Sequence, residues 1–211
     1  MDNFLSTLSV YSVLIPFLTG LIFWKFQDAN ARIMVILLAF ATLSQFLGTY
    51  FNEFQSDIYN LYLIPDGTFV SLIFFRNARI KTIRILISSL WMILIIASVW
   101  SFLKHGIHNR SFFDLICLDS AVQVICVLVY FYEKYYSEKN MMLKEEPLFW
   151  FSLAILFYAP CTYFMFAYRN FFGKSDHLWK YHDILNTLLY FIITIGLLVR
   201  VKKVKTILQW I

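Results

Sequence analysis

The chain has 211 residues, 60% apolar, 20% aromatic and only 15% charged, with a formal net charge of +5. A soluble domain of this size is nearer about 45–50% apolar and about 25% charged, and it leaves much of its surface in water. So large an apolar excess excludes a soluble globular protein. Disorder is excluded by the hydrophobicity, and a disulfide scaffold by a cysteine inventory of Cys117, Cys126 and Cys161.

A helical span needs about 20 apolar residues, and seven such runs fill the length. In chain order they cover residues 4–26, 33–51, 58–75, 80–102, 112–132, 148–171 and 178–199. The breaks between them are too short to hold a folded domain. The expectation is an all-α membrane protein, a single seven-transmembrane-helix domain over 1–211 with a basic tail at 200–211. The first run has no basic n-region and no small-residue cleavage pattern, so it reads as a span rather than a signal peptide.

Charge then sets orientation, since Lys and Arg concentrate in cytoplasmic loops. One side of the alternating breaks carries Lys25, Arg32, Arg76, Arg79, Lys81, Arg84, Lys134, Lys139, Lys144, Arg200, Lys202, Lys203 and Lys205. The other side has Lys104, Arg110, Arg169, Lys174 and Lys180. This bias places the N-terminus outside and the C-terminus in the cytoplasm. The net charge therefore reports topology, not a nucleic-acid partner. Trp24, Trp100, Trp150 and Trp179 lie near span ends, as an interfacial belt requires. The tail 200–211 reads first as a stop-transfer cluster; with Ile207, Leu208, Trp210 and Ile211 it can also lie along an anionic leaflet.

Polar groups inside spans are costly and mark cavities, partners or helix ties. Asp66 stands in span 3 between Pro65 and Gly67, a helix breaker and a flexible residue. Asp119 lies in span 5, four residues before Gln123 and so on the same helix face. His182 and Asn186 share a face of span 7 in the same way, with Asp183 beside them. At about 1.5 Å per residue, Asp66 and Asn186 lie roughly 12 Å below the outer surface, Asp119 roughly 10 Å and His182 roughly 6 Å. Gln45 of span 2 falls in the same outer half. Pro160, near Tyr158, Cys161 and Tyr163, is expected to kink span 6 at similar depth.

These residues predict a pocket open to the outside, with Asp66, Asp119, His182, Asn186, Gln45 and Tyr158 as candidate ligand contacts. The plainer alternative is that they tie helices together; Gln45, Asp183 and Asp119 lean that way. No cofactor is implied. A metal site is not expected either: His105 and His108 form HxxH in a break without a third ligand, and His177 and His182 are five apart. Retinal chemistry fails because the last span offers only Lys180, near its outer end. Seven-span zinc hydrolases would show a helical HxxxH, which is missing. A Cys161–His182 pair stays open but nothing in the spacing favours it.

Two runs, Lys144-Glu145-Glu146-Pro147-Leu148-Phe149-Trp150-Phe151 and Leu178-Trp179-Lys180-Tyr181-His182-Asp183-Ile184-Leu185-Asn186, carry a resemblance. The chain resembles a group of small seven-span integral membrane proteins common in Bacteroidota, which share a Pro-Leu-Phe-Trp helix start and a later Trp-x-x-His-x-x-x-Asn. The resemblance covers nearly the whole chain in span order. It implies the fold, a bacterial inner membrane and a recurring His182/Asn186 face, and it brings no reaction. Span 3 of that group carries Glu where this chain has Asp66, so no role transfers there.

The functional expectation is a non-enzymatic sensor, or the membrane subunit of a larger complex, with a small polar ligand or lipid headgroup in the outer pocket. Membrane lipids and a cytoplasmic or membrane protein are the expected partners. A proton- or cation-coupled transporter using Asp66 and Asp119 is the alternative. An intramembrane lipid-modifying enzyme with His182 as base is a second.

Overall fold

The computed structural model of the chain describes residues 2–106, 113–137, 143–172 and 176–208. His108 of the HxxH pair, Arg110, Lys139, Lys174, Trp210 and Ile211 lie outside them. The described chain is helical: α1 (Asp2–Ser12), α2 (Leu14–Ile22), α3 (Ala29–Tyr50), α4 (Gln55–Asn77), α5 (Lys81–His105), α6 (Phe113–Ser137), α7 (Pro147–Phe172) and α8 (Asp176–Leu208). With α1 and α2 counted together, seven helical segments are long and apolar enough to cross a membrane. This is a multi-pass membrane protein by length and composition.

The first span differs from its expected form. Its hydrogen-bond ladder is interrupted at Val13, whose backbone stays helical (φ −61°, ψ −28°), and it ends at Ile22, with a 3-10 turn at Trp24–Phe26 in place of a helix running to residue 26. Pro16 supplies the reason, since it has no N–H for the carbonyl of Ser12 and its ring crowds that carbonyl. The other two intramembrane prolines behave otherwise. Both α4 and α7 continue without interruption across Pro65 and Pro160. No helix break accompanies either proline, although each leaves one carbonyl, Leu61 O or Leu156 O, without its helical donor. Residues 200–208, read as a tail, continue α8.

Short links between α3 and α4 and between α7 and α8 make these neighbours antiparallel. The first span packs on α3 and α8, α3 on α4, α4 on α6, α6 on α7, and α7 on α8. Six segments thus close a ring. The remaining helix, α5, lies outside it and packs on α4 and α6, which leaves Ile85, Met92, Ile93, Ile96 and Trp100 exposed for lipid. Toward the end of the ring where α2 finishes the first span, Val35, Leu38, Ile73, Phe74, Val127, Phe151 and Leu197 form an apolar core. Gly196 permits the α7–α8 approach there: a Cβ at this position would sit 2.9 Å from Phe151 Cε1 and Trp150 Cβ.

Loops at that end are held by side-chain hydrogen bonds, one local and one from a distant helix. Asp28 caps α3 by accepting from the Ala31 amide at 2.9 Å. Glu133 of α6, buried, accepts from the Arg79 amide at 2.9 Å and the Ile80 amide at 2.7 Å, satisfying orphan donors at the start of α5. Hydrogen bonds to a charged group contribute about 1.5–3 kcal/mol each, so Glu133→Ala is expected to cost about 3 kcal/mol. A melting curve in detergent checks this, with Glu133→Gln, which keeps one acceptor oxygen, falling between the two.

Candidate functional site

At the other end, where α1 begins and α4, α6 and α8 start, the ring does not close on itself. A cavity of about 910 Å³ opens between the helices. Its walls follow a simple rule. Residues four apart share a helix face, and the polar lining comes as such pairs: Tyr62 and Asp66 on α4, Asp119 and Gln123 on α6, Tyr158 and Thr162 on α7, and His182, Asn186 and Tyr190 on α8.

The centre of the site is a pair of carboxyl groups sharing one amide. Gln123 Nε2 donates one hydrogen to Asp66 Oδ2 at 2.9 Å and the other to Asp119 Oδ2 at 2.8 Å. Tyr62 donates from its hydroxyl to Asp66 Oδ1 at 3.2 Å. Asp119 Oδ1 has no hydrogen-bond partner among the described residues, although Asp119 is only 4% exposed. Space for that oxygen comes from Gly67. A Cβ there would lie 2.8 Å from Asp119 Oδ1 and would also strike Leu94. Thr162, 3% exposed and beside Tyr158, has its Oγ1 likewise without a partner at hydrogen-bonding distance among the described residues.

A second group of side chains forms around His182. Its Nε2 and the Tyr158 hydroxyl share a hydrogen bond of 3.2 Å. Phe166 and Trp179 meet its ring edge-on, with centroids 6.3 and 5.7 Å away. One turn deeper, Asn186 Nδ2 donates to Ser9 Oγ at 3.0 Å and so ties α8 to α1. Gln45 accepts from Tyr59 at 3.0 Å, tying α3 to α4.

No protein-family model matches the chain, and no curated protein or solved structure is detectably similar to it. The site must therefore be read from its own geometry.

The structure places all six sequence-derived candidates, Asp66, Asp119, His182, Asn186, Gln45 and Tyr158, on the wall of this one cavity, with Asp183 beside them. Direct hydrogen bonds join His182 to Tyr158, and Gln123 joins Asp66 to Asp119. Asn186 and Gln45 bond instead to Ser9 and Tyr59. Sequence reasoning missed Tyr62, Thr162 and Tyr190 as lining residues and left Gln123 off the candidate set. A signal existed for each, because every one stands four residues from a candidate.

His182 has a tyrosine partner and aromatic neighbours, and no hydrogen-bonded carboxylate orients it among the described residues. Cys161 is not among the cavity's lining residues, so the open Cys161–His182 pairing is not formed there. Among the described residues no three of His, Cys, Asp and Glu gather as a metal-holding group.

Proposed function

We propose that this protein works without chemistry of its own, as a membrane sensor or the membrane subunit of a larger complex that holds a small polar ligand or lipid headgroup in the cavity. The observation that carries this reading is the 910 Å³ space itself, lined by polar side chains from every segment of the ring. Small-molecule sites have about this size and mix apolar walls with a few convergent polar groups. In the proposed setting, a bacterial inner membrane, the N-terminus and the cavity face outward. The basic ends Arg76–Arg84, Lys134–Lys144 and Arg200–Lys205 face the cytoplasm, where a partner would dock.

Native mass spectrometry of the protein taken from its own membrane in a mild detergent tests the proposal. A stoichiometric protein partner, or a chain carrying one small molecule or lipid, is the expected result. A lone, empty chain would overturn it. Orientation is tested separately by a C-terminal reporter active only in the cytoplasm.

A second reading, a small proton- or cation-coupled carrier, draws on the Asp66–Gln123–Asp119 bridge, since transporters place coupling carboxylates in the membrane. Proteoliposome uptake that Asp66→Asn abolishes would favour it.

A further inference from the structure

We propose that the ligand of this cavity is a small organic ammonium group. The inference rests on the reading of the cavity as a ligand site and adds the ligand's charge and shape.

Charge comes first. Glu53, Asp57, Asp66, Asp119 and Asp183 line the space, and among the described residues no lysine or arginine does. A buried carboxylate is ordinarily paired with a cation or fully hydrogen-bonded. Here the two deepest carboxyls receive only neutral donors, the Tyr62 hydroxyl and the Gln123 amide. Asp119 Oδ1 receives none among the described residues. The two carboxyls lie within hydrogen-bonding reach of each other and hold the pair together through a shared proton, which an entering cation can replace. An anionic ligand would add to the acidic excess of the lining, whereas a cation offsets it.

Shape then separates organic from inorganic cations. A bare metal ion wants several oxygen ligands closed around it within about 2.0–2.6 Å. The cavity is far larger than that, and no three of His, Cys, Asp and Glu gather as a metal-holding group among the described residues. Its walls are aromatic instead: Tyr62, Tyr158 and Tyr190 around the acidic centre, Phe166 and Trp179 nearer the mouth. Ring faces attract a cation by about 0.5–2 kcal/mol each when water is excluded, and aromatic cages are a recurrent means of holding alkylammonium groups. An ammonium seated here would place its charge beside Asp66 and Asp119 and its alkyl groups against tyrosine rings. Thr162 Oγ1 would be at hand for a hydroxyl or ester on the same ligand.

Such a group can arrive on a free amine or on the headgroup of a membrane lipid, and the test separates the two. The full chain is placed in nanodiscs of phosphatidylglycerol, and choline is titrated against its uncharged isostere dimethylbutanol by calorimetry. Choline is expected to bind saturably and about 10- to 100-fold more tightly than the isostere, as one charge-assisted and several cation–π contacts allow. Asp66→Asn and Asp119→Asn are each expected to remove most of that difference, with folding checked by melting temperature. Replacing the lipid by phosphatidylethanolamine should suppress choline binding if a lipid headgroup is the ligand, and leave it intact if a free amine is.

Equal binding of the two isosteres would overturn the ammonium assignment while leaving a ligand cavity in place. Absence of choline binding in phosphatidylglycerol would overturn it too. In that case, the mass spectrum of the native chain still decides separately whether the cavity holds anything. The comparison of isosteres on the unaltered protein keeps the proposal falsifiable even if both variants fail to fold.

Discussion

Gln123→Leu is expected to destabilise the folded bundle by about 3 kcal/mol, more than the loss of two average hydrogen bonds. Interhelical hydrogen bonds in membranes contribute about 0.6 kcal/mol on average, so two lost bonds account for little more than 1 kcal/mol. The larger part comes from what remains. A buried acceptor left without a donor costs about 1–3 kcal/mol, and Gln123 is the donor to Asp119 Oδ2 and to Asp66 Oδ2. Asp119, whose Oδ1 has no partner among the described residues, would lose the donor to its Oδ2 as well.

The magnitude separates two pictures of the site. If the carboxyls are held by the protein, Asp119→Leu added to Gln123→Leu should recover part of the loss, because it removes the orphaned group. A double-mutant cycle would then give a coupling of about 1–3 kcal/mol. If cavity water already solvates both carboxyls, Gln123→Leu alone would cost less than about 1 kcal/mol and the cycle would close near zero. Reversible unfolding in mixed micelles reads both quantities.

That bridge also marks where the sequence stops being informative. The intrahelical half, Asp119 with Gln123, follows from a spacing of four. The other half joins residues 57 apart, and the Asn186–Ser9 tie joins residues 177 apart. No local pattern encodes which helix face meets which. The number of spans was legible because apolar length is a local property, and so was the shared level of the polar residues, which follows from counting along each helix. Tyr62 and Tyr190 were hidden for a different reason. With 13 tyrosines and 23 phenylalanines, an aromatic four residues from a polar candidate is too common for the spacing of Tyr62 and Tyr190 to stand out. The break at Val13 was local, and Pro16 announced it, yet the apolar run around it masked the interruption. At Pro65 and Pro160 the same residue type left the helix assignment unbroken. A proline predicts a missing hydrogen bond, and the packing of neighbouring helices decides whether the chain breaks there.

Gly67→Ala should damage the protein in two ways that can be told apart. In an ordinary helix interior the change stabilises by about 1 kcal/mol. Here the added methyl meets Leu94, 1% exposed, and stands 2.8 Å from Asp119 Oδ1, on a residue 4% exposed. Leu94 is packed in the bundle and must shift to admit the methyl, and overpacking of this kind costs about 1–3 kcal/mol. The net expectation is a loss of about 1–2 kcal/mol, the reverse of the helix-propensity sign. Leu94→Val removes the δ-carbon that the methyl strikes, so Gly67→Ala with Leu94→Val should recover most of the melting temperature. It leaves the contact with the Asp119 carboxyl untouched. The carboxyl stretching band of Asp119, assigned by its disappearance in Asp119→Asn, should therefore stay shifted in the stability-recovered double variant. A band that returns to its original position along with stability would mean that Gly67 serves packing alone. A band that stays shifted makes the missing side chain at position 67 the feature that lets the Asp119 carboxyl stand where Gln123 and the cavity meet.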